Sequence, residues 1–162
     1  MSGDNIKVSQ YLTFLIDSEI YCVEVTKTRE IIQKENISVV PGMSEYMRGI
    51  INVRGCIIPI MDLKEKIGLG KFESASDVHI IIIEVKSGKD PLTFGILADK
   101  VLEVIHLENT LITPPPKIGM RRNLDYISGI GKADNSVMMI LDIDKIIGSG
   151  AISLSAQETA RI

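Results

Sequence analysis

With 162 residues, 45% of them hydrophobic, the chain has material for a sizeable core but not for two independent small domains. A net charge of −3, aromatics at 4% and no Trp argue against a surface that neutralises phosphates or stacks bases. The polar start MSGDNIKVSQ is unlike a secretory signal, and the longest apolar run, near residues 80–83, is too short to cross a bilayer.

The core must be aliphatic and rich in Ile, a β-branched residue that favours strands. Cys22 and Cys56 show no metal or redox spacing, and their apolar surroundings predict that both are core residues. The expectation is a soluble cytoplasmic protein without disulfides, cofactors or metals.

In chain order, residues 1–9 are a polar lead-in. YLTFLI (11–16) and IYCVEV (20–25) flank the turn DSE, and TREIIQ (28–33) is a third strand. NISVVPGM is extended as far as Pro41, and SEYM is at most one helical turn capped by Ser44. IINV and CIIPIM are two strands around Arg54-Gly55, where Gly55 is free to take positive φ. Asp62 with Glu65 three residues later predicts a short helix over 62–67 that stops at Gly68.

GLGKFESASD (68–77) reads as a linker of small and polar residues. VHIIIIEV (78–85) is apolar throughout, as a strand covered on both faces would be. SGKD turns the chain into LTFGIL, and VLEVIHL (101–107) follows. Pro114, Pro115 and Pro116 with Gly119, Arg121 and Arg122 form an irregular loop. ISGIGKA and SVMMIL make a closing hairpin, DIDKIIG a helix capped by Asp142, and residues 151–162 have moderate helical tendency.

A repeat orders these elements. A shift of eighty residues lays residues 46–68 on 126–148 without a gap, so that Tyr46 meets Tyr126, Gly49 meets Gly129 and Asp62 meets Asp142. A shift of seventy-three lays YCVEVTKTREII on FGILADKVLEVI. Each half holds about five strands, the number in a small closed barrel. The expected organisation is one domain with subdomains at about 11–68 and 78–148, and tails at 1–9 and 150–162.

No catalytic constellation is present. Asp62 and Asp142 are explained as helix caps, and His79 and His106 have no Cys or His cluster near them in sequence. GLGK lacks the spacing and the strand-loop-helix setting of a phosphate loop. What stands out is a pair of charges in strand context, Glu30 and Arg54. If their strands are neighbours they can pair at a barrel rim, either as an ordinary surface ion pair or as a means of offering the planar donors of Arg54 to a partner. A small barrel binding nucleic acid is the alternative reading, and the composition opposes it.

YLTFLIDSEIYCVEV, TREII, MRGIINVRGCIIPIMDL, FGILADKVLEVI and YISGIG…LDIDKII together closely resemble the CheW chemotaxis coupling proteins, over about residues 11–147 and in the family's order. The resemblance implies an all-β fold of two similar five-stranded SH3-like β-barrels around a common hydrophobic core, with short capping helices. It implies a non-catalytic adaptor that couples the regulatory domain of the histidine kinase CheA to the cytoplasmic tips of methyl-accepting chemotaxis receptors in membrane-associated arrays.

Residue by residue, the resemblance assigns Glu30, Gly49, Arg54, Ile80 and Val104 to a receptor-binding groove, and Val25, Thr28 and Ile118 to contacts with the kinase. The family more often has Val where Thr28 stands, and Leu where Val53 stands.

Overall fold

The tight turns marked between apolar runs become hairpins because their residues adopt left-handed backbone. Asp17 and Ser18 (φ 53° and 68°), Arg54 and Gly55 (50° and 88°) and Asp134 (54°) supply the twist that lets antiparallel strands meet without splaying. The computed structural model describes residues 5–33, 36–72, 78–87, 90–116 and 126–148. Ile118, most of the proline-rich loop and the C-terminal segment lie outside them.

The fold is nearly all β. In order, β1 (Val8–Ile16), β2 (Glu19–Glu24) and β3 (Thr28–Gln33) precede the hairpin β4 (Met47–Val53) and β5 (Cys56–Met61), which runs into α1 (Leu63–Lys66). Then come β6 (His79–Ser87), β7 (Asp90–Ala98), β8 (Lys100–Glu108), the two-residue β9 (Ile112–Thr113), β10 (Ile127–Ala133), β11 (Ser136–Leu141) and α2 (Ile143–Gly148). Val25 leaves the strand expected for it and starts a 3-10 turn, Val25–Lys27. The segment around Ser44 is a turn, not a helix, closed by the Met47 amide donating to the Ser44 carbonyl at 2.9 Å.

The two sheets do not divide where the sequence repeat divides. One sheet has the order β8-β1-β2-β11-β10-β9 and the other β3-β6-β7-β5-β4. Each therefore takes its leading hairpin from the other half of the chain: β1–β2 completes the later strands, and β6–β7 completes the earlier ones. The exchange is symmetric. Parallel pairing sets Ile60 opposite Gly95 in one sheet and Ile140 opposite Cys22 in the other, the same positions under shifts of eighty and seventy-three.

Both sheets curl. Glu30 on β3 and Arg54 at the β4–β5 turn belong to opposite edge strands, about 19 Å apart were the sheet flat, yet they form a direct ion pair. Ser38, just beyond β3, also exchanges backbone hydrogen bonds of 2.9 Å with Ile50 on β4. In the other sheet the chain passes from β8 through the 3-10 turn Asn109–Leu111 into β9, which pairs with β10 at the far edge.

The main core lies between the sheets. Phe14, Ile16 and Val23 from one meet Ile51, Ile60, Ile81, Ile83, Phe94 and Ile96 from the other, all at most 2% exposed. Each large aliphatic side chain buried there stabilises the fold by roughly 2 kcal/mol. A second cluster, Tyr11, Cys22, Leu107, Met138 and Ile140, fills the six-stranded sheet. All four consecutive isoleucines of β6 are at most 1% exposed, as a strand covered on both faces requires.

Of the two cysteines, Cys22 is buried, which pushes its thiol up to about 12. Cys56 is exposed and corrects the expectation of a core residue: it opens β5 directly after the turn, before the strand enters the interior. Nor is the segment after Gly68 a free linker, because Phe72 is only 5% exposed and packs into the core.

Candidate functional site

The hairpin tip between β4 and β5 is built to hold one arginine outward. Asn52 Oδ1 accepts the Gly55 amide at 2.9 Å and fixes the turn. Arg54 occupies the left-handed region at φ 50°, which crowds a side chain with a Cβ. The matching residue eighty positions on is Asp134, of a type that tolerates this conformation well. Turn chemistry therefore does not explain the arginine.

The Arg54 side chain is 72% exposed, and its guanidinium donates to the Glu30 carboxylate, 31% exposed on β3. That hydrogen bond, with the attraction of the carboxylate, raises the guanidinium pKa above the usual arginine value. The result is an oriented planar donor with free edges on the surface.

The other expected residues fall in different places. Gly49 is buried and acts through its backbone: a Cβ built there would stand 2.1 Å from the Ser38 carbonyl oxygen, and its φ is +143°. It permits the close approach that curls the sheet. Ile80 is 1% exposed, sits between Ile32 of β3 and Leu97 of β7, and belongs to the core. This corrects the picture of Ile80 lining an open groove: its side chain is covered within the main core and has no free face to offer.

Val104 is 47% exposed on the edge strand β8 of the other sheet, with Leu102 at 40% beside it. Val25 is partly buried against the main core. The Thr28 hydroxyl donates to the Glu24 carbonyl at 3.2 Å, so the threonine ties down the 3-10 turn that presents Val25. The structure thus joins Glu30 to Arg54 and sets Val25–Lys27 directly before β3, while Val104 stands apart on the second sheet.

Among the exposed aliphatics not singled out from sequence, three stand at related repeat positions. Ile31 (42%) is the repeat partner of Val104, and Ile57 (59%) and Val137 (55%) are partners of each other. In sequence, the polar Arg29 and Gln33 two residues to either side carry the signal that Ile31 shares their outward face. Among the described residues no group of His, Cys, Asp or Glu is placed to hold a metal, and no helix is long and apolar enough to cross a membrane.

The model of the CheW-like domain family matches residues 10–151. The chain belongs to the CheW-like family. The chemotaxis protein CheW of Thermotoga maritima is 32% identical over 148 residues, covering 90% of this chain and 91% of the relative. That of Klebsiella aerogenes is 26% identical over 154 residues, 95% of this chain and 90% of the relative. Among solved structures, the scaffolding protein TtCheW from Thermoanaerobacter tengcongensis superposes with a TM-score of 0.74 at 31% identity, over 84% of this chain and 90% of that one. The CheW-like match spans both repeats, so the exchanged hairpins and both sheets fall within the family domain.

Proposed function

We propose that this protein is a cytoplasmic chemotaxis adaptor that bridges the regulatory domain of the kinase CheA and the cytoplasmic tips of chemoreceptors, and catalyses no reaction itself. The observation that carries the reading is Arg54, held outward by Glu30 in a backbone conformation that arginine does not favour, on a fold whose relatives are chemotaxis proteins. Strain retained at an exposed position points to a role outside the fold. In this reading a receptor tip, a helical hairpin, lays its apolar ridge along β8 at Val104. The kinase domain meets the Val25–Thr28 corner.

Heteronuclear NMR with a receptor-tip fragment and a CheA regulatory domain, added separately, tests the proposal. Two distinct perturbed surfaces are expected, and Arg54→Asp should weaken partner binding at least about tenfold, the scale of losing a charge-assisted contact, with the fold unchanged. Unaltered binding of both partners by a folded Arg54→Asp protein would remove the role assigned to this residue. Binding of neither partner by the natural chain would overturn the function.

A further inference from the structure

The joint between the two halves holds a lysine where the repeat holds an apolar residue. Lys66 ends α1, and a shift of eighty lays it on Ile146, which is fully buried in the main core. Tyr46 and Tyr126, equivalent residues of the two units, both stand against the lysine. Its Nζ lies 4.2 Å from the centre of the Tyr46 ring and 5.6 Å from that of Tyr126.

The setting differs from that of other lysines. Lys27 pairs with Asp144 and Lys64 with Asp17, each at 2.9 Å, and the hydrogen bond to Asp17 raises the Lys64 pKa. Lys66 is half-buried instead against ring faces, which attract a cation but restore only part of the hydration it has lost. Burial therefore pushes its ammonium pKa below the usual lysine value. An uncharged group fits this place better than a charged one, as the isoleucine of the second half illustrates.

A second observation lies on the nearer ring. The Tyr46 hydroxyl is buried and has no hydrogen-bond partner among the described residues. A buried donor left unpaired is costly, and this one has room for an acceptor only on a group that reaches its ring. An acyl chain on Nζ carries its carbonyl oxygen about 2.3 Å beyond the nitrogen, from standard bond lengths.

We propose that Lys66 is an acylation site, modified by a small acyl phosphate, and that the new carbonyl accepts the hydrogen bond of the Tyr46 hydroxyl. The free amine attacks the carbonyl carbon of the mixed anhydride. A C–N bond forms as the C–O bond to phosphorus's oxygen breaks, phosphate departs with the electron pair, and the surplus amine proton passes to it. The product is an uncharged amide at the joint between the halves. Residues 68–70, exposed directly after α1, leave the approach open.

Peptide mass mapping of the native full chain incubated with acetyl phosphate tests the site. Lys66 should be acetylated at least about threefold faster than Lys64, or than Lys132 exposed on β10, because desolvation favours its free amine. A rate no greater than either overturns the site. Thermal unfolding of the chain carrying acetyl-lysine at position 66 tests the contact. It should unfold at a higher temperature than the natural chain, and Tyr46→Phe, which removes only an unpaired hydroxyl, should abolish that gain. No gain on acetylation, or a gain that Tyr46→Phe leaves intact, overturns the hydrogen bond to Tyr46.

Discussion

The unit at 46–68 and its repeat at 126–148 share a frame but not a filling. In both, a tyrosine carbonyl accepts the amide of the capping aspartate, at 2.6 Å for Tyr46–Asp62 and 2.7 Å for Tyr126–Asp142, and in both the strand register slips just before a glycine. The difference lies in what the aspartate is used for. Asp62 is fully buried, caps α1, takes the Phe72 amide and pairs at 3.1 Å with Arg48, which also donates to the Phe72 carbonyl. Where Arg48 stands in the first unit the second has Ser128, and Asp142 is only half-buried. A buried carboxylate needs a countercharge, so the arginine and the burial come as a pair. One frame thus serves as a locked corner in the first unit and a partly exposed cap in the second.

The sharpest way to break this comparison is at the glycines. Gly49→Ala drives a Cβ into a backbone oxygen from a left-handed conformation and should cost at least about 3 kcal/mol. Gly129→Ala meets the Ile112 Cγ2 at 2.7 Å and the Thr113 carbonyl oxygen at 3.1 Å but without a left-handed backbone, and should cost less, about 1–3 kcal/mol. Urea unfolding midpoints compare the two, and equal losses would show that closure is no tighter in the first unit.

Next come the caps. Asp62→Ala strands the Arg48 charge and a buried amide and should cost about 3 kcal/mol, whereas Asp142→Ala loses mainly a cap worth about 1 kcal/mol. Similar thermal shifts for the two variants would deny the locked corner. The smallest effect concerns the cysteines. At pH 8 a thiol reagent should label Cys56 alone, because Cys22 is buried and its thiol titrates only near pH 12. Two labels on the native protein would contradict that burial.

Local features were legible in the sequence because they rest on residue chemistry at short range. Arg54-Gly55, the aspartate caps and the isoleucine run of β6 each announce one conformation. The exchange of hairpins was not legible, for a physical reason: β1–β2 and β6–β7 present alike apolar faces to alike partners, so pairing within a half or across halves satisfies the same pattern. The arginine–aspartate corner escaped because Asp62 already had an explanation as a cap, although Phe72, a lone aromatic in a polar stretch, was a visible cue. The Glu30–Arg54 pair was foreseen as a possibility that depended on adjacency. Curling of the sheet supplies that adjacency across its two edges.

The hairpin exchange also sets the order in which the protein can be made. On the ribosome, β1 and β2 emerge first, but β8, which flanks β1, and β11, which flanks β2, come much later; Ile20 waits for Met138, 118 residues on. The inner stretch β3–β7 can close its own sheet while both edges of the leading hairpin still lack their strands. Such long-range closure slows folding and lengthens exposure to aggregation. Synthesis must run through β11, nearly to α2, before the second strand of this chain has a neighbour on each side.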